Sequence, residues 1–286
     1  MAIDRDKLLA WPFEEVEHRY AERDTILYAL GIGLGAEPAD PRQLRFVYEP
    51  GLQALPSMGV ILAYPGFWLQ DPRAGADWRR LVHGEQGIEI LKPLPPAGTV
   101  MGKTRVLDVI DKGKDKGALV FTEREVRDKA TGELLCRLQS TTVLRGDGGF
   151  GGPPGPLPVP HVIPDRPPDL ACALPTLPQA ALIYRLSGDR NPLHADPAVA
   201  EKAGFPRPIL HGLCTFGVAC HALLREVCGY RPERLRSLQG RFTAPVFPGE
   251  TIVTEIWRDG RIASFRASVR ERAKVVLDHG RAELVD

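Results

Sequence analysis

Asp189 and His194 are two proton-transfer side chains in one short run, Tyr184–His194, which reads YRLSGDRNPLH. An aspartate and a histidine at this spacing can hold one water molecule between them, so that one removes a proton while the other orients the water or supplies a proton elsewhere. Asn191 lies between them and can fix either side chain by hydrogen bonding. The alternative is structural: Asp189 caps a turn and His194 is a satisfied buried histidine.

The sequence around this pair predicts an irregular loop that leads into a short helix. Serine, glycine and proline inside the run favour turns and disfavour helix. Asp196 followed by Pro197 is typical of a helix start, and Gly204 predicts where that helix ends. Loops on a rigid scaffold commonly carry catalytic groups.

A second candidate group is the backbone amide of Gly212, in the run PILHGLCTFG. Gly212–Val227 is apolar on most faces and predicts a buried helix. The first amides of a helix are free donors, and the helix dipole favours negative charge there. The Gly212 N–H could therefore hold an oxygen that becomes negative during a reaction. Alternatively, this glycine serves only tight helix packing.

The elements that position these groups divide into two similar halves. The segment Gly146–Pro160, GDGGFGGPPGPLPVP, predicts a linker between a first domain, 1–145, and a second, 161–286. Lys92–Val100, KPLPPAGTV, resembles Ala244–Ile252, APVFPGETI, and β-rich sequence follows both. Chance similarity of two Pro–Gly turns is the alternative to a duplication.

Each half predicts one apolar helix followed by antiparallel strands, which indicates an α+β fold with two helix-wrapped sheets joined into one continuous sheet. The first-half helix is predicted at Thr25–Leu34. The strands are predicted at Thr104–Ile110, Ala118–Val126, Leu134–Leu144, Thr251–Trp257, Ile262–Val269 and Val275–Leu284.

Composition excludes several classes of function. A net charge of +1 over 286 residues argues against a nucleic-acid surface. No segment has the length of apolar sequence that a membrane span needs, and neither terminus matches a secretory or peroxisomal signal. Five cysteines in irregular spacing favour reduced thiols. We therefore expect a cytoplasmic protein without membrane or nucleic-acid partners.

Taken together, these runs resemble the R-specific enoyl-CoA hydratases of the type-2, MaoC-like class, and in particular the hydratase part of the peroxisomal multifunctional enzyme. The resemblance extends in order over nearly the whole chain through further motifs. These are LVHGEQ, KPLPPAG, DKG, GGFGG, PDRPP and an Arg-Phe pair before APVFPGET. It implies a double hot-dog fold, an acyl-CoA thioester substrate and a homodimer.

The resemblance also implies roles for individual residues. Asp189 and His194 would be the catalytic pair, aided by Asn191, and Gly212 would supply the oxyanion donor. Substrate contacts would come from His83, Gly84, Lys112 and Phe242. Lys112 suits the phosphates of coenzyme A, although it could be an ordinary turn lysine. No cofactor is expected, because coenzyme A is part of the substrate, and no metal is needed.

Three rival interpretations stay open at this point. A hot-dog thioesterase would direct water at the carbonyl carbon instead, and a non-catalytic acyl-CoA-binding protein would use the same fold without chemistry. A metal site could use a cluster of softer ligands, although one buried helix points these side chains in different directions. That cluster consists of His211, Cys214, Cys220, His221 and Cys228.

Overall fold

The computed structural model describes residues 3–285, and ten strands of this part of the chain form one antiparallel sheet. Across the sheet the order is β1-β3-β4-β5-β2-β7-β10-β9-β8-β6. The strands are β1 Val16–Tyr20, β2 Leu81–Ile90, β3 Gly98–Asp111, β4 Ala118–Asp128, β5 Leu134–Leu144, β6 Leu170–Pro175, β7 Leu235–Phe242, β8 Thr251–Asp259, β9 Ile262–Val269 and β10 Lys274–Leu284. This confirms the predicted α+β double hot-dog with one continuous sheet.

Six α-helices accompany the sheet within the described residues. They are α1 Arg5–Leu9, α2 Glu22–Gly31, α3 Pro41–Leu44, α4 Ala180–Tyr184, α5 Pro197–Lys202 and α6 Gly212–Glu226. None of the helices described is both long and apolar enough to cross a membrane.

Each half supplies five strands, and the two sets have the same order from the outer edge to the middle of the sheet. The first half runs β1-β3-β4-β5-β2 and the second runs β6-β8-β9-β10-β7. The halves meet where β2 pairs with β7, with Gly87 opposite Gln239 near the middle of the pairing. Two ion pairs cross this seam, Glu85 with Arg241 at 2.6 Å and Glu89 with Arg236 at 3.1 Å. The two repeats are therefore joined by a hydrogen-bonded ladder.

Helix α6 is the central helix of the second half and is buried over most of its length, as predicted. Its Gly217 packs so closely against α2 that an added Cβ would lie 2.6 Å from Cγ2 of Ile32. The sheet of the second half faces it with wholly buried side chains such as Phe265 and Val269. This half therefore has a continuous apolar core.

The first half is built differently from the expectation. The helix predicted at Thr25–Leu34 is α2, which begins three residues earlier and packs against α4. The element on the first half's own sheet is the short 3-10 segment Pro56–Ile61. An added Cβ on Gly59 in this segment would lie 2.5 Å from Cδ1 of Ile88 on β2. About two turns of 3-10 helix thus take the place of the long central helix in this half.

All six predicted strands are present, although β3 begins about six residues earlier than predicted; β1, β2, β6 and β7 were not predicted as strands. The Gly/Pro segment 146–160 has no helix or strand. Its start is nevertheless anchored to the end of β3. The Asp111 carboxylate accepts hydrogen bonds from the N–H groups of Gly149 and Gly151, at 2.7 and 2.9 Å.

Candidate active site

The loop after α4 has the irregular form that the sequence predicts. Oδ1 of Asp189 accepts a hydrogen bond from the backbone N–H of Asn191 at 3.1 Å. Oδ1 of Asn191 accepts one from the N–H of Leu193 at 3.1 Å, so this side chain shapes the turn and bonds neither Asp189 nor His194. Asp196 caps α5 as predicted, since its Oδ1 accepts the N–H of Ala198 at 2.8 Å.

His194 is buried and its ring orientation is fixed. Nδ1 lies 2.8 Å from the carbonyl oxygen of Ile209. Because a carbonyl oxygen only accepts, Nδ1 carries the proton and Nε2 has a free lone pair. Burial lowers the pKa of His194 below its usual 6.5, against smaller raising effects of Ile209 and the charge of Asp189. The neutral imidazole is therefore a proton acceptor at neutral pH.

His211 is a third member of the site that the sequence reasoning placed only among metal candidates. Its ring stacks on that of His194, with centroids 3.7 Å apart and planes inclined by 28°. Its Nε2–H donates to the backbone oxygen of Asp189 at 3.1 Å. Burial, and then the nearby His194, lower the pKa of His211 to about 4. The feature of the sequence that could have identified His211 as a site residue is its position directly before Gly212, the first residue of α6.

Asp189, His194 and His211 offer side-chain donor atoms that lie within 4.8 Å of one another. Such a cluster could surround a water molecule or a cation. It is the only group of at least three close His, Cys, Asp or Glu donors in the part of the chain described. The His/Cys set considered from the sequence does not converge there. Cys214, for example, directs its thiol to the backbone oxygen of Gly31 at 3.4 Å.

Gly212 lies at the first position of α6, with His211 as N-cap. The amide of Gly212 has no acceptor among residues 3–285. A Cβ added to Gly212 would lie 3.4 Å from the Phe242 ring, which is an ordinary contact. Packing therefore does not require glycine here, in contrast to Gly217 on the same helix, and a free donor remains at the helix start.

His83 and Phe242 extend the site across the seam between the halves. Their ring centroids are 4.9 Å apart, and Phe242 in turn lies against Gly212. Nε2–H of His83 donates to the backbone oxygen of Glu85 at 3.0 Å. Burial lowers the pKa of His83 to about 4, while the charge of Asp189 acts in the opposite direction. The structure thus brings these predicted contacts close to the Asp189 carboxylate.

Gly84 forms a β-bulge beside His83, because β2 slips by one residue against β5 between His83 and Glu85. A Cβ on Gly84 would lie 3.1 Å from the backbone oxygen of Thr141 and 3.0 Å from Cγ2 of Val143. Only glycine fits this close approach without a shift of its neighbours. The bulge directs His83 onto the face of the sheet that bears the site.

Lys112 lies outside this cluster, directly after β3. It lines an open cleft with Gly113, Lys116 and Gly152. The strand registers place the end of β3 three strands away from the start of β2, which corresponds to about 14 Å. Lys112 can therefore meet only a remote part of a ligand whose reacting end lies beside Asp189.

Two five-stranded halves in one sheet, with the long helix α6 in the second half, define a double hot-dog protein. The Asp–His pair and the free helix start form its candidate acid–base site. Residues 18–146 match the family model described as MFE-2 hydratase 2 N-terminal domain, and residues 161–279 match that of the MaoC like domain. Both matches are consistent with the two halves of the sheet.

Relatives of known name extend over the whole chain. It is 45% identical to the 3-hydroxyacyl-thioester dehydratase Y of Mycobacterium tuberculosis over 100% of this chain and 99% of the relative. It is 41% identical to the peroxisomal enoyl-CoA hydratase 2 of Arabidopsis thaliana, over 96% of this chain and 94% of the relative. The crystal structure of a MaoC-like dehydratase from Phytophthora capsici superposes with a TM-score of 0.87 at 38% identity, covering 98% of each chain. The chain therefore belongs to the MaoC-like hydratase family and is a hydro-lyase.

Proposed function

We propose that this protein catalyses the reversible hydration of trans-2-enoyl-CoA to (3R)-3-hydroxyacyl-CoA. The observation that carries the proposal is the free Nε2 of His194 beside the Asp189 carboxylate, at a site closed on one side by the start of α6. The names of the relatives, enoyl-CoA hydratase and 3-hydroxyacyl-thioester dehydratase, support this reaction. The R configuration rests on the resemblance of the motifs alone.

In the proposed mechanism, the Asp189 carboxylate and Nε2 of His194 hold one water molecule over the β carbon of the substrate. As the water oxygen bonds to that carbon, Nε2 takes a water proton and the double-bond electrons move towards the thioester. The Gly212 amide stabilises the enolate oxygen that results, a contribution of about 3 to 4 kcal/mol for such donors. The proton then returns from the Asp189–His194 pair to the α carbon.

His211 acts in this scheme as a positioning residue. Its hydrogen bond fixes the backbone that carries Asp189, and its stacked ring limits the movement of His194. Because its own pKa is about 4, it adds no positive charge beside His194 at neutral pH. Nε2 of His194 consequently stays available as the base.

The rest of the substrate would lie along the first half. His83 and Phe242 would contact the thioester region, and Lys112 with Lys116 would meet phosphates of coenzyme A. Most of the substrate contacts would then come from residues 1–145 and the chemistry from residues 161–286, with one active site per chain. Assembly as a homodimer and a cytoplasmic location stay predictions from the sequence.

The test is hydration of enoyl-CoA esters by wild type, Asp189→Asn and His194→Gln, with the product chirality determined. We expect each substitution to lower kcat by about a hundredfold to ten-thousandfold, the range typical of general acid–base groups. Asp196→Asn is the matched control, because this neighbouring aspartate only caps α5. Full turnover by both site variants would refute the assignment. Steady thiol release from saturated acyl-CoA would favour a thioesterase instead.

A further inference from the structure

Arg124 on β4 is a buried cation without a counter-ion. Its residue is 8% exposed, and no carboxylate of residues 3–285 lies within 4.0 Å of its guanidinium group. Nη2 donates to the backbone oxygen of Val60 at 2.7 Å, whereas the buried Nε has no partner. Burial lowers the pKa of Arg124 to about 10, so the group is still charged at neutral pH. A buried charge in this state is costly to a fold.

The fold itself does not need a cation at this position. In the internal repeat, KPLPPAGTV aligned with APVFPGETI makes Thr104 the counterpart of Ile256. Their partners across the ladders are Arg124 and Phe265. Phe265 is wholly buried under the central helix of its half. The first half therefore has a guanidinium group where the same architecture accommodates a phenyl ring.

The inner face of the sheet between Arg124 and the active site contains polar side chains as well as apolar ones. Side chains on one face of a strand alternate, so Val120, Thr122 and Arg124 share the inner face of β4. The hydroxyl groups of Thr122 and Ser140 are 2.8 Å apart, and the next row of the sheet contains His83 opposite Thr142. His83 on β2 lies two strands across the sheet from Val120 on β4, and Arg124 is four residues further along β4. Together these steps put His83 and Arg124 about 16 Å apart.

Tyr64 lies beside Arg124. The guanidinium carbon of Arg124 lies 5.6 Å from the centre of the Tyr64 ring. The Tyr64 residue is 52% exposed, so the neighbourhood of the guanidinium group is open to a ligand. Partial burial raises the pKa of Tyr64, so its hydroxyl group stays a hydrogen-bond donor at neutral pH.

We propose that the acyl-binding region of the first half ends at Arg124 and Tyr64, and that this site receives a carboxylate at the far end of the acyl chain. The preferred substrates would be enoyl-CoA esters of dicarboxylic acids, which extends the hydration reaction proposed above and rests on it. A carboxylate would supply the missing counter-ion and accept hydrogen bonds from the guanidinium group. A methyl-ended chain would leave the cation unpaired.

The experiment compares 2-enoyl-CoA esters of increasing length in matched pairs that end in a methyl group or a carboxylate. For chains long enough to reach Arg124, we expect wild type to show a higher kcat/KM with the carboxylate. In Arg124→Leu the ratio of the two kcat/KM values should fall about tenfold to a hundredfold, the usual effect of losing a charged hydrogen bond. Arg127→Leu is the control, because Arg127 is on the same strand but on the opposite, exposed face. It should keep the wild-type ratio.

The outcomes separate this inference from the proposed function. If wild type hydrates methyl-ended chains and shows no preference for a terminal carboxylate at any chain length, only the carboxylate site is refuted. The same holds if Arg124→Leu keeps the wild-type ratio. Absence of hydration with every ester refutes the function itself. If Arg124→Leu does not fold, Arg124→Gln takes its place in the comparison of kcat/KM ratios. Calorimetry then also measures the binding to wild type of the two 3-hydroxyacyl-CoA products, one ending in a methyl group and one in a carboxylate. Equal affinities for the two products overturn the inference.

Discussion

His221 on α6 should make the protein sensitive to acid, independently of catalysis. The residue is 1% exposed, and its Nε2 lies 3.2 Å from the hydroxyl oxygen of Tyr230. Burial lowers the pKa of His221 to about 4. In the unfolded chain the same histidine has a pKa of about 6.5. Protons therefore bind the unfolded state more strongly, and stability is lost as the pH falls from 6.5 towards 4.

The size of this effect follows from the two pKa values. Above pH 7 both states are neutral and His221 has no linkage effect. At pH 5 the unfolded state gains about 2 kcal/mol from this one histidine, at 1.36 kcal/mol for each pKa unit. His83 and His211, whose pKa values are also about 4, bring the total to about 6 kcal/mol. Since domains are stable by roughly 5 to 15 kcal/mol, we expect the protein to be much less stable at pH 5 than at pH 7.5.

The assay is urea unfolding of wild type and His221→Gln between pH 5 and pH 8. The difference in unfolding free energy between the two proteins should change by about 2 kcal/mol in favour of the variant on going from pH 7.5 to pH 5. Tyr230→Phe is the control, because it removes the same hydrogen bond and keeps the imidazole, so its effect should vary little with pH. Parallel pH curves for wild type and His221→Gln would refute the reasoning.

Four further substitutions have measurable outcomes. Lys112→Met should raise KM for a coenzyme A ester, with less effect at high salt and none on a thioester that lacks the nucleotide. Gly212→Ala keeps the backbone N–H but adds a Cβ beside it and against Phe242, so kcat should fall because the thioester oxygen approaches less closely, with little loss of stability. Gly217→Ala, which would collide with α2, should lower the unfolding free energy by about 1 to 3 kcal/mol. Gly84→Ala should destabilise the fold by a similar amount through the bulge, and should reduce activity by displacing His83. Activity and urea unfolding of each variant distinguish these effects.

The strands that could be predicted are those with several β-branched residues and clear polar turns beside them, such as β4 and β8. The seam strands escaped prediction for physical reasons. β2 contains two glycines and a bulge, and β7, LRSLQGRF, lacks β-branched residues. Both are central strands, stabilised by partners on either side more than by their own propensity. The register that joins them depends on residues far apart in sequence.

In the site, the Asp189–His194 pair and Gly212 were available from motif and spacing, because a helix start and a loop are local features. His211 was not, since its part depends on stacking against a ring brought close by the fold. Arg124 was missed for a similar reason. An arginine in a predicted strand is read as a solvated side chain, and only the folded sheet shows that it faces inward without a carboxylate.

The β2–β7 pairing also dictates when the enzyme becomes active during its own synthesis. The two strands that form the seam are separated by 144 residues, from Ile90 to Leu235, so their ladder has a high contact order and closes late. Until β7 leaves the ribosome, β2 is an unpaired edge of the growing chain, the kind of edge that invites aggregation. Since His83 and Phe242 meet across this ladder, the substrate contacts proposed for them cannot form before residue 242 has been synthesised.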